Sequence, residues 1–206
     1  MLYYENDTKF YGKEYSLEEL EQEILKDNKF YENGGGVTFS GGEALLYFKD
    51  LEPLLKKLKE YGINICVETA LVVEEEMVKI ALKYVDEFIV DIKILDKTNA
   101  KSINSNTKLY ENNVKLLYEN KIKPLFRLPL VKEYTYTKQN IDIIIDFFKK
   151  YKFDNIQIFN IHNLGEKKYK TLNMKEFKII KIDDTEIQDL IEKFRMNNIN
   201  AELIKI

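Results

Sequence analysis

Short apolar runs alternate with longer segments of helical period along almost the whole chain, and this alternation limits the fold more than any other feature. Val37-Thr38-Phe39-Ser40, Ile63-Asn64-Ile65-Cys66-Val67, Phe88-Ile89-Val90, residues 122–126, Ile156-Gln157-Ile158-Phe159-Asn160-Ile161 and residues 201–206 read as strands, rich in β-branched and aromatic residues. Between them, helix-period segments are predicted to about residue 61 and over about 74–84, 107–119, 138–151 and 184–197. An earlier helix over about 16–28 opens on a capping box, Ser16-x-x-Glu19. A polar loop is predicted from Lys97 to Ser105. Strands that alternate with helices imply βαβ units and parallel pairing, hence an α/β fold. No composition break marks a second domain, so residues 1–206 read as one.

Parallel α/β folds place their chemistry at the C-terminal strand ends. Here those ends carry Gly41, Gly42 and Glu43, then Glu68 and Thr69, Asp91 and Lys93, Arg127, and His162. Wet loops explain one or two polar strand ends, but they explain poorly a mixture of both charge signs on consecutive strands. The segment 34–43 is the densest of these signals, with five of the eight glycines in ten residues. Glycine removes the Cβ that keeps main-chain N–H groups from a ligand, and Glu43 adds a carboxylate beside them. Donors with one anion suit an amine or zwitterion. The spacing fits neither the Walker phosphate loop nor the dinucleotide fingerprint; a tight turn without a ligand is the plain alternative.

The other residues each have a structural reading too. Glu68 and Thr69 serve equally as caps for the next helix. Asp91 and Lys93, two apart on a strand, point the same way, as an ion pair or as a site holding a carboxylate and a cation. Arg127 also reads as a surface arginine and His162 as a structural histidine. Cys66, central in an apolar strand, reads as core packing.

Net charge −3 and pI about 5.5 argue against a nucleic-acid partner. No window approaches the ~20 apolar residues of a membrane span, and the N-terminus lacks the pattern of a signal peptide. The expected location is cytoplasmic. A single cysteine excludes an internal disulfide and a multi-cysteine metal site within these 206 residues.

Gly-Gly-Gly-Val-Thr-Phe-Ser-Gly-Gly-Glu at 34–43 resembles the glycyl-radical-enzyme activating enzymes, the pyruvate formate-lyase activase branch of the radical S-adenosylmethionine (SAM) superfamily. Lys26-Asp27-Asn28-Lys29-Phe30-Tyr31, Val67-Glu68-Thr69, Val90-Asp91-Ile92-Lys93, Phe126-Arg127-Leu128-Pro129-Leu130 and His162-Asn163-Leu164-Gly165-Glu166-Lys167-Lys168-Tyr169 extend the resemblance from about residue 11 to the C-terminus.

The resemblance implies a partial (β/α) barrel that binds SAM at its strand tips. Gly41, Gly42 and Glu43 would meet the methionine amino group. Glu68, Thr69, Asp91 and Lys93 would lie near its carboxylate, with a monovalent cation as a further occupant. Arg127 and His162 would approach the carboxylate, ribose or adenine side. The complete enzyme would cleave SAM to a 5′-deoxyadenosyl radical and abstract hydrogen from a glycine of a partner glycyl radical enzyme.

The family's Cys-x3-Cys-x2-Cys loop and first strand, which hold its [4Fe-4S] cluster, have no counterpart in these residues, and Cys66 alone ligates no cluster. The chain is therefore expected to be the C-terminal part of an activating enzyme and inactive alone, or else a cluster-free homologue that binds SAM or protein without catalysis. Ala44 replaces the usual proline after Gly-Gly-Glu. Glu68-Thr69-Ala70-Leu71 replaces Glu-Thr-Cys-Gly, and Leu130-Val131-Lys132-Glu133-Tyr134 replaces Ile-Pro-Gly-Tyr-Asn. Lost glycines and prolines are expected to change those turns. Without a first strand, the Val37–Ser40 strand is expected at an open edge, covered by a dimer mate or a separate N-terminal half.

Overall fold

The computed structural model describes residues 13–32, 34–100, 106–160 and 180–205. After α1 (Leu17–Leu25), β1 (Gly36–Phe39) is followed by a 3-10 turn (Ala44–Tyr47) and α2 (Phe48–Glu60). Next come β2 (Asn64–Thr69), α3 (Glu75–Tyr84), β3 (Glu87–Asp91), a short α4 (Lys97–Ala100) and α5 (Thr107–Glu119). β4 (Leu125–Leu130), α6 (Lys138–Tyr151), β5 (Asn155–Asn160), α7 (Asp184–Met196) and β6 (Asn200–Leu203) complete the order.

The six strands pair in parallel and strictly in sequence, β1 to β6. A doubly wound sheet reverses its strand order at a switch point; this one does not. Strand burial shows the consequence. Ile65, Val67 and Thr69, Phe88 and Val90, Phe126, Leu128 and Leu130, and Ile156 and Ile158 are buried. Their alternates Cys66, Glu68, Ile89, Asp91, Arg127 and Gln157 are only half-buried. Helices thus cover one face, as in a barrel wall, and the other stays open. β1 and β6 lie at opposite ends of the strand order, so the barrel is partial.

One apolar core fills the space between sheet and helices, with Phe48, Phe126, Phe148 and Phe194 fully enclosed. The Phe126 ring lies tilted, 4.9 Å from those of Phe148 and Phe153, tying β4 to α6 and the turn after it. The predicted capping box closes α1: Glu19 N donates to Ser16 Oγ at 3.2 Å and Ser16 N to Glu19 Oε2 at 2.8 Å.

Three local readings are corrected. Cys66 does not pack in the core, because strand alternation gives the buried positions to Ile65 and Val67 and turns Cys66 to the open face. β4 runs from Leu125 to Leu130 instead of ending before Arg127, so Arg127 lies within a strand. The loop predicted from Lys97 begins with a helical turn, α4.

Candidate functional site

Parallel pairing brings the C-terminal ends of β1 to β4 to one edge of the sheet. At the end of β1, Gly41 and Gly42 have φ +81° and +52°, and a Cβ on either would meet nothing within 4 Å. These two glycines are demanded by backbone conformation, and the space beside them is open. Gly35 and Gly36 differ: a Cβ there would collide with the carbonyl oxygens of Phe30 and Asn64. Gly35 and Gly36 thus serve close packing, and Gly41 and Gly42 form an exposed turn.

Glu43 does not stand free beside that turn. Its Oε1 accepts from Thr69 Oγ1 at 2.6 Å and its Oε2 from Ala70 N at 2.8 Å, so the carboxylate bridges the tips of β1 and β2. It also accepts from Leu45 N at 3.3 Å, capping the 3-10 turn. A carboxylate offers about four acceptor positions, so one remains for a ligand donor. Thr69 is 4% exposed, and its hydroxyl also accepts from Leu71 N at 2.8 Å. Neither Glu68 nor Thr69 caps α3, whose N-cap is Glu74. Thr69 instead holds the tip of β2 and the Glu43 carboxylate. Leu71, where the resembling family has glycine, keeps φ +55°. The turn at this point thus carries a side chain in the left-handed region.

On the open face, Arg127 bridges three strands: it donates to Glu68 on β2 through Nη1 and to Gln157 on β5 at 3.1 Å through Nε. The Arg127 side chain is 24% exposed, so the pair is more sheltered than a surface ion pair. Asp91 sits directly beside Arg127 in the β3–β4 register. Its Oδ2 lies 3.0 Å from Lys93 Nζ, so Asp91 and Lys93 form an ion pair at the tip of β3. Cys66 lies one residue pair below Glu68, opposite Thr38. Burial pushes its thiol above the ordinary value, against a hydrogen bond with Thr38 that lowers it. His162 lies outside the described residues.

Two buried asparagines, which no sequence signal picked out, secure the tip loops. Asn113 on α5 donates to Leu71 O and Val73 O at 2.9 and 2.7 Å. Asn140 on α6 binds the loops after β3 and β4. A polar residue within an apolar helix stripe is the only trace either leaves in the sequence. A cavity of about 40 Å³, lined by Val72, Asp91, Lys93 and Tyr110 among others, opens between the tips and α5. It has room for water and lies beside the open trough on the uncovered face of the sheet. Tyr110 is 4% exposed, and its hydroxyl has no hydrogen-bond partner among the described residues. Burial pushes that hydroxyl well above its ordinary pKa, and the Asp91 charge adds to the shift.

Residues 4–148 match the family model of the Radical SAM superfamily. The chain belongs to the radical SAM superfamily. It is 33% identical over 171 residues to the pyruvate formate-lyase 2-activating enzyme of Escherichia coli (strain K12), covering 80% of this chain and 59% of that protein. It is 34% identical over 204 residues to the (2S)-3-sulfopropanediol dehydratase activating enzyme of Klebsiella oxytoca, covering 94% of this chain and 64% of that one. The chain thus spans less than two thirds of the length of these relatives.

Among solved structures, a domain of a pyruvate-formate lyase-activating enzyme from Bacteroides vulgatus superposes with TM-score 0.69 at 23% identity, covering 84% of this chain and all of that one. Streptococcus suis SuiB bound to S-adenosylmethionine gives 0.71 at 21% identity, covering 97% of this chain and 45% of that chain. At these identities the two structures speak for the fold alone. They agree with the partial barrel seen in this radical SAM chain.

The superfamily implies SAM and a [4Fe-4S] cluster. An open glycine turn, an acceptor position on Glu43 and the Asp91–Lys93 pair suit an amino-acid zwitterion, so the residues present fit SAM. They do not fit the cluster: Cys66 is the one thiol in 206 residues and faces Thr38 in mid-strand.

Proposed function

We propose that these 206 residues form the SAM-binding wall of a glycyl-radical-enzyme activating enzyme and generate no radical alone. The observation that carries this reading is the edge where β1 to β4 end. Within four neighbouring strands it presents an open glycine turn, a carboxylate with one acceptor position left, and a carboxylate–ammonium pair. Glu43, with the Gly41-Gly42 turn, would receive the ligand's α-amino group. Lys93, held beside Asp91, would receive its carboxylate. Arg127, already bridging Glu68 and Gln157, would orient the far end of the trough, and His162 is assigned to the nucleoside side. SAM supplies the adenosyl group for hydrogen abstraction in this chemistry; the protein's part is to orient it and exclude water.

The partner class that follows is a glycyl radical enzyme. The sheet edge at β1 is assigned to a second chain, either a dimer mate or a separate N-terminal half. A second reading, a cluster-free module that binds SAM or protein, draws on the presence of Glu43, Asp91, Lys93, Arg127 and His162 beside a single cysteine.

Calorimetric titration with SAM is expected to show one site, weakened about tenfold or more by Lys93→Met, which removes the cation assigned to the ligand carboxylate. Absence of binding would overturn the proposal. Anaerobic iron–sulfide reconstitution is expected to leave the chain without cluster absorbance and without 5′-deoxyadenosine release. Observing both would refute the predicted inactivity.

A further inference from the structure

Asn140 lies in the first turn of α6 and is fully buried. Its side-chain amide places every hydrogen-bonding position on the main chain of two loops. Oδ1 accepts from Leu95 N at 2.9 Å and Asp96 N at 3.4 Å. Nδ2 donates to Lys93 O at 2.8 Å and Thr135 O at 2.9 Å. An amide has two donors and two acceptor lone pairs, so its inventory is filled. The neighbouring buried residues Ile141, Ile144 and Ile145 show that an apolar side chain suits this face of α6. Burying an amide among them brings no clear gain in stability over an apolar residue. What the amide supplies is geometry.

We infer that Asn140 is the positioning residue for the Lys93 amine. The Lys93 carbonyl is held by a helix rooted in the core, and the Lys93 side chain emerges from that anchored peptide to meet Asp91. The same amide fastens Thr135, whose hydroxyl accepts from Val131 N at 2.8 Å and donates to Pro129 O. The tip of β3 and the turn after β4 are thereby locked to one another. This inference rests on the reading that the strand tips bind SAM.

The test is Asn140→Leu, which keeps the branched shape with bulkier ends and removes all four bonds. Leu95 and Asp96 amides are expected to exchange hydrogen slowly in the wild type and about tenfold faster in the variant, with Ile156 and Ile158 unchanged. SAM affinity is expected to fall about tenfold. Affinity for 5′-methylthioadenosine, which lacks the amino-acid carboxylate, stays the same. Equal weakening of both ligands marks a merely structural residue and overturns the inference. So does unchanged SAM affinity with a loosened loop. A wild type that binds neither ligand refutes the proposed function; fast exchange of Leu95 and Asp96 in the wild type refutes the clamp itself. If Asn140→Leu does not fold, Asn140→Ala, which removes the same four bonds without adding bulk or charge, is read by the same outcomes.

Discussion

At the scale of single residues, the strand tips are held by side chains that do two jobs. Thr69 both donates to Glu43 and accepts from Leu71, so Thr69→Val leaves a buried main-chain N–H and a carboxylate each short of a partner. A loss of about 1–3 kcal/mol is expected, read as a lower urea midpoint with unchanged slope. Tyr110→Phe should behave differently. Its hydroxyl is buried without a partner among the described residues, so removal is expected to be neutral or slightly stabilising in the same assay. A loss of more than about 1 kcal/mol would place an ordered water in the adjoining cavity. Cys66, with its thiol pushed above the ordinary range, is expected to alkylate more slowly at pH 8 than an unstructured peptide cysteine. Equal rates would contradict its half-buried position beside Thr38.

At the scale of elements, the start of α1 is set locally and is legible in the sequence. The Ser16–Glu19 box predicted from four residues is the one observed, because capping depends on near neighbours. Ends set by backbone hand were less legible. α6 terminates at Lys152 in the left-handed region, φ +54°, where glycine is the usual residue. Lys152→Gly is therefore expected to stabilise by up to about 1 kcal/mol, the relief of left-handed strain outweighing chain entropy. A lower melting temperature would refute this. Leu71 makes the same point at the site: it lies in the left-handed region at φ +55°, and the buried Thr69 and Asn113 contacts hold the turn around it.

At the scale of the molecule, strand order governs everything at the mouth. Sequential parallel pairing turns the helices to one side and leaves Thr38, Cys66, Glu68, Asp91, Arg127 and Gln157 on the open face. It also leaves β1 at an edge with exposed alternate residues. Light scattering is expected to give a mass above the 24.5 kDa of one chain. A monodisperse monomer would remove the case for a mate at that edge.

The amino-acid sequence alone determined the main element types, their alternation and most of the polar residues near the strand ends, since periodicity, caps and turn glycines act over a few residues. It did not determine which groups at those ends are spent on each other. That Glu43 is bound to Thr69 and Ala70, that Arg127 spans to Glu68 and Gln157, and that Asn140 ties two loops were decided by tertiary structure. Except within one loop or helix, such partners lie tens of residues apart, and only the register of neighbouring strands and the packing of helices behind them bring their polar atoms within hydrogen-bonding distance.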